Sequence, residues 1–106
     1  EAHPLKEDRP LIEFAAPLWL WSEGKGRWHF LTVPAAPSTE IRLESLGRRG
    51  GFGSVRVEAR IGGIAWRTSV FPTKRNGEYV LPVKAEVRRR AGIAAGDEVR
   101  LTLELI

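Results

Sequence analysis

The sequence predicts a mainly β domain of the α+β type: a pseudo-symmetric, double-split antiparallel β-barrel of about five to seven strands, capped by one or two short helices. The first supporting observation is that the second half of the chain repeats the plan of the first. Each half holds a strand ending in proline, a helical or irregular segment, a glycine and a long alternating strand, at residues 28–34 and 53–61 and again at 78–82 and 96–106. The second is that hairpins join the strands and no βαβ unit occurs, which favours an antiparallel sheet.

The chain begins with a segment that lacks hydrophobic periodicity. Residues 1–11 predict a flexible tail, and residues 12–106 predict a single domain. The apolar and aromatic residues 11–21 indicate a strand, which Pro17 interrupts. Because proline cannot donate a hydrogen bond to a β-ladder, we expect an edge strand or a bulged one. A glycine-bearing turn and the return strand at residues 27–33 complete a hairpin.

A short helix is predicted within residues 34–47. Ser38 is the expected N-cap, because a serine before an acidic first turn is typical of a helix start. Ile41, Leu43 and Leu46 supply a partial apolar face.

The middle of the chain contains a glycine-rich loop and a second hairpin. Glycines stand at three of the four positions 50–53, which indicates backbone with a positive φ or a close approach to another group. Residues 55–61 alternate between apolar and charged, as a strand with one buried face does. Gly62 and Gly63 form a two-residue hairpin turn, and residues 64–71 return before Pro72 ends the strand.

The last third repeats the order of strand, helix and strand. Asn76 and Gly77 indicate another turn, and residues 78–81 a further strand. Pro82 fits the first position of a helix, and Gly92 is the expected stop after it. Three apolar residues recur at i, i+4 and i+8 along one face of this helix: Val83, Val87 and Ala91. Residues 99–105 alternate and predict the final strand.

Composition limits the class of protein more than its activity. The 106 residues include no cysteine, which excludes disulfides, thiolate metal sites and cysteine nucleophiles. The net charge of +4 is compatible with a polyanionic partner and equally with an arginine-rich surface. No apolar run approaches the roughly 20 residues of a membrane span. We therefore expect a cytoplasmic protein with no membrane partner, no metal and no cofactor.

Six stretches carry a family resemblance. They lie at residues 14–19, 28–34 (Trp-His-Phe-Leu-Thr-Val-Pro), 49–57, 66–72 (Trp-Arg-Thr-Ser-Val-Phe-Pro), 79–88 and 92–99. Together they resemble the bacterial domain-of-unknown-function family numbered nineteen-oh-five, over about residues 12–106. The resemblance implies a split, pseudo-symmetric β-barrel capped by helices, similar to the AbrB/MazE-like swapped-hairpin regulators, in which two chains supply the two halves. It supplies no catalytic or binding residues.

Candidate binding residues come from the glycine-rich loop and the strand after Gly63. The set that we predict to line a binding site is Arg49, Phe52, Gly53, Trp66, Arg67, Thr68, Ser69 and Phe71. The cations that could contact nucleic acid are Arg48, Arg49, Arg88, Arg89 and Arg90. A nucleophile set could be assembled from Ser69, Thr68, His29 and Asp97. We predict no catalytic residues, because Ser69 lies in a predicted strand rather than on a sharp strand-to-helix elbow.

The tryptophans have more than one interpretation. Four of them, Trp19, Trp21, Trp28 and Trp66, are many for a chain of this length. We expect that such large rings fill the core of a small barrel. Trp19 and Trp21 share a strand face that Trp28 could join across the hairpin. A ligand pocket lined by indoles and an exposed protein-binding patch therefore stay open as alternatives.

These observations predict a binding or interaction module of unknown ligand rather than an enzyme. The alternatives are a DNA-associated regulator of the AbrB-like type and a small-molecule binder that uses a tryptophan-lined cavity. A protein or small-molecule partner is favoured over nucleic acid. Both a monomer and a dimer fit, and a barrel that closes within one chain needs no second copy.

Overall fold

The structure, a computed structural model, describes residues 11–47, 53–75 and 77–106. In these residues the chain forms six strands and two helices: β1 (Leu11–Glu23), β2 (Gly26–Val33), α1 (Ala35–Glu44), β3 (Val55–Ile61), β4 (Ile64–Pro72), β5 (Tyr79–Pro82), α2 (Ala85–Ala91) and β6 (Glu98–Leu105). The strands close into an antiparallel barrel in the order β1-β2-β5-β4-β3-β6. The predicted mainly β barrel with short helices is confirmed.

The barrel has an internal two-fold plan. The unit β1-β2-α1-β3 has the same element order as β4-β5-α2-β6. Exchanging the two units keeps the pairs β2–β5 and β3–β6 and maps each remaining strand pair onto another pair of the barrel. Among the described residues, the pairs β2–β5, β3–β6, β1–β6 and β3–β4 each join one unit to the other. Neither unit can therefore complete its sheet alone, and one chain supplies both halves.

Alternating side chains build the core. The inward residues of β3 and β6 are Val55, Val57, Ala59, Ile61, Val99, Leu101, Leu103 and Leu105, all of them buried. Each helix adds an apolar side chain to this core, Ile41 from α1 and Val87 from α2. Full burial of a side chain of this kind contributes about 1.5–3 kcal/mol.

Strand β1 changes partners at Pro17. Its residues up to Pro17 pair with β6, and its residues from Leu18 onwards pair with β2. Among the described strands, each half of β1 is thus paired on one side only, so the edge character predicted around Pro17 holds locally, although β1 as a whole lies between β6 and β2 in the barrel. The missing N–H of the proline falls one residue before the β1–β2 ladder begins at Leu18, so this ladder loses no hydrogen bond. Of the predicted tail, only Leu11 is among the described residues, as the first residue of β1.

Helix α1 begins before Ser38, contrary to the sequence prediction. Its N-cap is Pro34, and Ser38 lies buried inside the helix. The predicted apolar face is also only partly correct, since Ile41 is buried but Leu43 and Leu46 are exposed.

Helix α2 begins later than predicted. Pro82 remains the last residue of β5, where it pairs with Phe30, and Lys84 is the N-cap. The helix ends as predicted at Gly92, which has a left-handed φ of 70°. With ten residues in α1 and seven in α2, no helix in the described part of the chain is long and apolar enough to cross a membrane.

Two of the predicted hairpin turns fall within the described residues, the first being Gly24 and Lys25 between β1 and β2. Gly62 and Gly63 join β3 to β4 as a two-residue turn. Gly53 has the predicted positive φ, at 75°. Asn76, the first residue of the third predicted turn, lies outside the described residues.

Candidate binding site

Aromatic side chains cover the outer face of the sheet formed by β1, β2, β5 and β4. Because the buried residues of β1 are the even-numbered ones from Ile12 to Leu18, the odd-numbered Trp19 and Trp21 point outwards. Trp28 lies opposite Trp21 in the register. With neighbours on β5 and β4 they form a groove of about 470 Å³, the aromatic groove, lined by Trp19, Trp21, Trp28, Phe30, Phe71, Thr73, Val80 and Pro82.

The expectation that the tryptophans fill the core is therefore wrong for three of the four. Trp28 is 55% exposed and Trp21 39% exposed, and Trp19 is half-buried. Only Trp66 packs against the core, beside the buried Ala59 across β3. The physical reason is parity: in a strand whose even-numbered residues face inwards, an odd-numbered ring must face outwards regardless of its size.

The rings of the groove are held by direct contacts. The centroids of Trp19 and Phe30 are 5.2 Å apart, with ring planes at 39°. Trp28 and Phe30 are nearly parallel, with a 10° angle between planes and 6.3 Å between centroids. The indole Nε1 of Trp19 donates a hydrogen bond to the hydroxyl of Thr32 at 2.8 Å. These contacts orient the rings relative to one another on the outer face of the sheet.

A second depression, the basic cleft, continues from one end of the aromatic groove. It has a volume of about 280 Å³ and shares two of its lining residues with that groove; the lining is Arg27, Trp28, His29, Pro82, Val83, Lys84, Ala85 and Arg88. The guanidinium of Arg88 donates to the backbone carbonyl of Val83 at 2.7 Å, which anchors it at the cleft. Within the described residues, neither Arg27 nor Lys84 forms an ion pair, so both charges face solvent uncompensated.

His29 lies in the basic cleft close enough to Arg88 and Arg27 for their charges to act on its imidazole. Partial burial lowers the pKa of its imidazole below the usual 6.5, and the nearby guanidinium groups of Arg88 and Arg27 lower the pKa further. The imidazole is therefore neutral near pH 7. A negatively charged ligand bound in the cleft would oppose this effect.

A third depression continues from the opposite side of the aromatic groove. This distal cleft, of about 470 Å³, is lined by Trp19, Thr32, Thr73, Arg75, Glu78 and Val80, three of which also line the groove. It contains one cation, Arg75, and one carboxylate, Glu78. The three depressions together form a continuous path across the sheet face, with aromatic rings in the centre, three cations at one end, and one cation beside one carboxylate at the other.

The structure does not bring the predicted binding residues into one place. Trp66 and Thr68 share the inward face of β4, whereas Arg67 and Ser69 face outwards. Of the predicted set, Phe71 alone lies in the aromatic groove. Gly53 packs near the end of β4, and Arg49 and Phe52 lie outside the described residues.

The predicted nucleic-acid cations are also separated. Arg88 lines the basic cleft, whereas Arg89 and Arg90 are exposed near the end of α2. Arg48, like Arg49, is outside the described residues. Sequence reasoning missed Arg27 and Lys84. These residues meet in one cleft because β2 pairs with β5, and no local sequence pattern indicates that pairing.

The residues weighed for nucleophilic chemistry have separate neighbours. Ser69 accepts a long hydrogen bond of 3.5 Å from Arg56, and the carboxylate of Asp97 accepts one of 2.8 Å from the backbone N–H of Ala94. His29 faces the cations of the basic cleft. Among residues 11–47, 53–75 and 77–106, no three histidine or carboxylate side chains are grouped so that they could hold a metal ion.

Fold and groove together define a class: small, single-chain antiparallel barrels with an open aromatic groove on an outer sheet face. Residues 14–103 match the family described as Domain of unknown function (DUF1905). Because the match spans most of the chain, the protein belongs to this family, as its sequence motifs predicted. No curated protein sequence matches the chain. The similarity to AbrB/MazE-like regulators stays a prediction.

Proposed function

We propose that this domain is a binding module whose site comprises the aromatic groove and the basic cleft, and that its ligand joins a planar aromatic group to a negative charge. The observation that carries this proposal is the continuity of the two depressions, which share Trp28 and Pro82. An aromatic ring stacked on Trp28 would place an attached anionic group towards Arg27 and Lys84. The residues available there favour an anion over a neutral ligand.

The opposite face of the barrel supports a dedicated role for the aromatic groove. On β3, β4 and β6 the outward positions carry ordinary charged side chains, such as Arg56, Arg67 and Arg100. Glu58 and Arg60 pair there at 3.2 Å. The fold therefore does not require aromatic rings on its outer surface. Contiguous exposed rings on such a surface are unusual unless they form a binding site.

The size and stiffness of the groove favour a flat ligand. Its volume of about 470 Å³ lies in the range of small-molecule sites. Stacking on aromatic faces requires planar partners, and the near-parallel rings of Trp28 and Phe30 offer such faces.

A titration of the intrinsic tryptophan fluorescence tests this proposal. The probe is naphthalenesulfonate, compared with the uncharged naphthalenemethanol. We expect the sulfonate to change the emission saturably and to bind more tightly than the alcohol, because the cations of the basic cleft attract the sulfonate alone.

Variants locate the binding. Trp28→Ala should abolish saturable binding of both probes, and Lys84→Ala should weaken binding of the sulfonate while leaving that of the alcohol unchanged. Arg100→Ala, on the charged face, is the matched control and should behave as the unmodified protein. Emission that responds to neither probe would contradict the proposal.

A further inference from the structure

We infer that the ligand of this site is single-stranded nucleic acid, with successive bases stacked on the aromatic groove and phosphates held by the cations of the basic and distal clefts. The inference rests on the proposed function and names the ligand class. It depends on three features of the described residues: the order of the three depressions, the spacing of the rings and the accessibility of their faces.

The order of the depressions matches a polymer rather than a small molecule. The basic cleft, the aromatic groove and the distal cleft follow one another with shared lining residues. Each nucleotide of a single strand carries one flat base and one negatively charged phosphate, so a protein that binds the strand needs cations along its path. Arg27, Lys84 and Arg88 supply them at one end and Arg75 at the other, where Glu78 is the one carboxylate of the lining. A single nucleotide would leave one of the two ends unused.

The spacing of the rings fits consecutive bases. Trp28 and Phe30 are two residues apart on β2, so their backbone positions are about 6.6 Å apart along the strand, and their planes differ by only 10°. Trp19 adds a third ring beside Phe30. Four-stranded sheets with aromatic side chains on an open face stack two or three bases in this way.

The accessibility of the rings favours a single strand over a duplex. Stacking on Trp28, which is 55% exposed, requires a base whose flat face is free. In a duplex each base is covered by its neighbours, and only groove edges and phosphates are presented. Stacking on aromatic platforms tolerates any base, so we expect little sequence preference.

The experiment uses fluorescence anisotropy with a labelled oligothymidylate of about eight nucleotides, an abasic oligomer of the same length, and a duplex in the form of a hairpin whose GC-rich stem of about eight base pairs stays paired at low salt. We expect the oligothymidylate to bind more tightly than the abasic oligomer by at least about fivefold, because the abasic strand retains phosphates but cannot stack. Phosphate contacts from the four cations of the two clefts should weaken its binding about 50-fold between about 50 and about 200 mM salt. This comparison needs no variant and therefore does not depend on how a variant folds.

Variants then assign the contacts. Trp28→Ala should reduce affinity for the oligothymidylate at least about fivefold and leave the salt dependence unchanged. Lys84→Ala should lower the slope of log affinity against log salt by about 0.7, the value for one phosphate contact on a single strand. Arg100→Ala is again the control on the opposite face.

The outcomes separate this inference from the proposed function. Equal affinity for the abasic strand or the duplex would overturn the inference and show that binding depends on phosphates alone. Thymidine monophosphate that binds as tightly as the oligomer would overturn it in favour of a small ligand. If naphthalenesulfonate binds and the oligothymidylate does not, the inference fails while the proposed function stands; if neither binds, both fail.

Discussion

The two half-buried indoles, Trp19 and Trp66, differ in what their N–H groups meet. Trp19 donates to Thr32, whereas the buried Nε1 of Trp66 has no hydrogen-bond partner among the described residues. An unpaired buried donor costs about 1–3 kcal/mol, and removing it recovers part of this cost. We expect Trp66→Phe to lower the free energy of unfolding by less than Trp19→Phe, with a difference of at least about 1 kcal/mol. Denaturant unfolding of the two variants measures it, and an equal or larger loss in Trp66→Phe would contradict it.

His29 gives the barrel a pH dependence at the scale of one side chain. Its pKa is lowered in the folded chain by burial, by Arg88 of α2 and by Arg27 of β2, and Lys84 lines the same cleft. Below the usual pKa of 6.5 the unfolded chain therefore binds more protons at this position than the folded chain does. Above that pH, His29 is neutral in both states and costs no stability. As the pH falls towards the lowered pKa, the unfolded chain takes up the proton first, so the free energy of unfolding decreases.

The variant His29→Gln tests this pH dependence. Denaturant unfolding at about pH 7 and about pH 5 should show a smaller loss of stability on acidification in His29→Gln than in the unmodified protein. The measurement isolates His29 because each protein is compared with itself at the two pH values. Identical losses in both proteins would mean that His29 has the same pKa in the folded and unfolded chains.

At the scale of elements, Ser38 links α1 to the barrel. Its hydroxyl donates to the carbonyl of Val33 at 2.9 Å and accepts from the N–H of Tyr79 at 3.0 Å, so it joins the end of β2, the helix and the start of β5. The sequence pattern that predicted an N-cap is also the pattern of a buried serine one turn into a helix. The burial that distinguishes the two depends on β5, some forty residues further along the chain.

Ser38→Ala should therefore destabilise the fold more than an ordinary helix substitution. It leaves the N–H of Tyr79 without its buried partner, which costs about 1–3 kcal/mol. The neighbouring Thr39→Ala is the matched control, because the exposed hydroxyl of Thr39 bonds only to the carbonyl of Ala35 one turn earlier. We expect its stability to stay within about 0.5 kcal/mol of the unmodified protein. Thermal and denaturant unfolding measure both, and equal effects would show that Ser38 is not a tie between elements.

For the whole molecule, the sequence predicted the closed barrel because its evidence was local and repeated. Alternation in residues 55–61, the Gly62 turn and the proline-ended strands each depend on neighbours in the chain. The aromatic groove depends instead on which strands become neighbours. Only the insertion of β5 between β2 and β4 places Phe71 and Val80 beside rings more than forty residues earlier. Local periodicity does not show which strands become neighbours in the barrel. The sequence pattern therefore predicts that these rings lie in the interior.

If the outer rings serve binding and not folding, the barrel should tolerate their loss. The double variant Trp21→Ser, Trp28→Ser removes a cross-strand aromatic pair from a solvent-exposed position, so we expect it to cost about 1 kcal/mol and to leave the fold intact. The control is Leu31→Ala, at a fully buried position of the same hairpin, which should cost about 2–5 kcal/mol.

Denaturant unfolding and the naphthalenesulfonate titration, made on the same two variants, then separate folding from binding. The double variant should lose only about 1 kcal/mol of stability but all binding of the probe, whereas Leu31→Ala should lose more stability and, while folded, still bind the probe. A loss of stability in the double variant as large as that in Leu31→Ala would contradict this division. The outer rings would then be structural residues of the hairpin, and the aromatic groove would be a consequence of the fold with no ligand of its own.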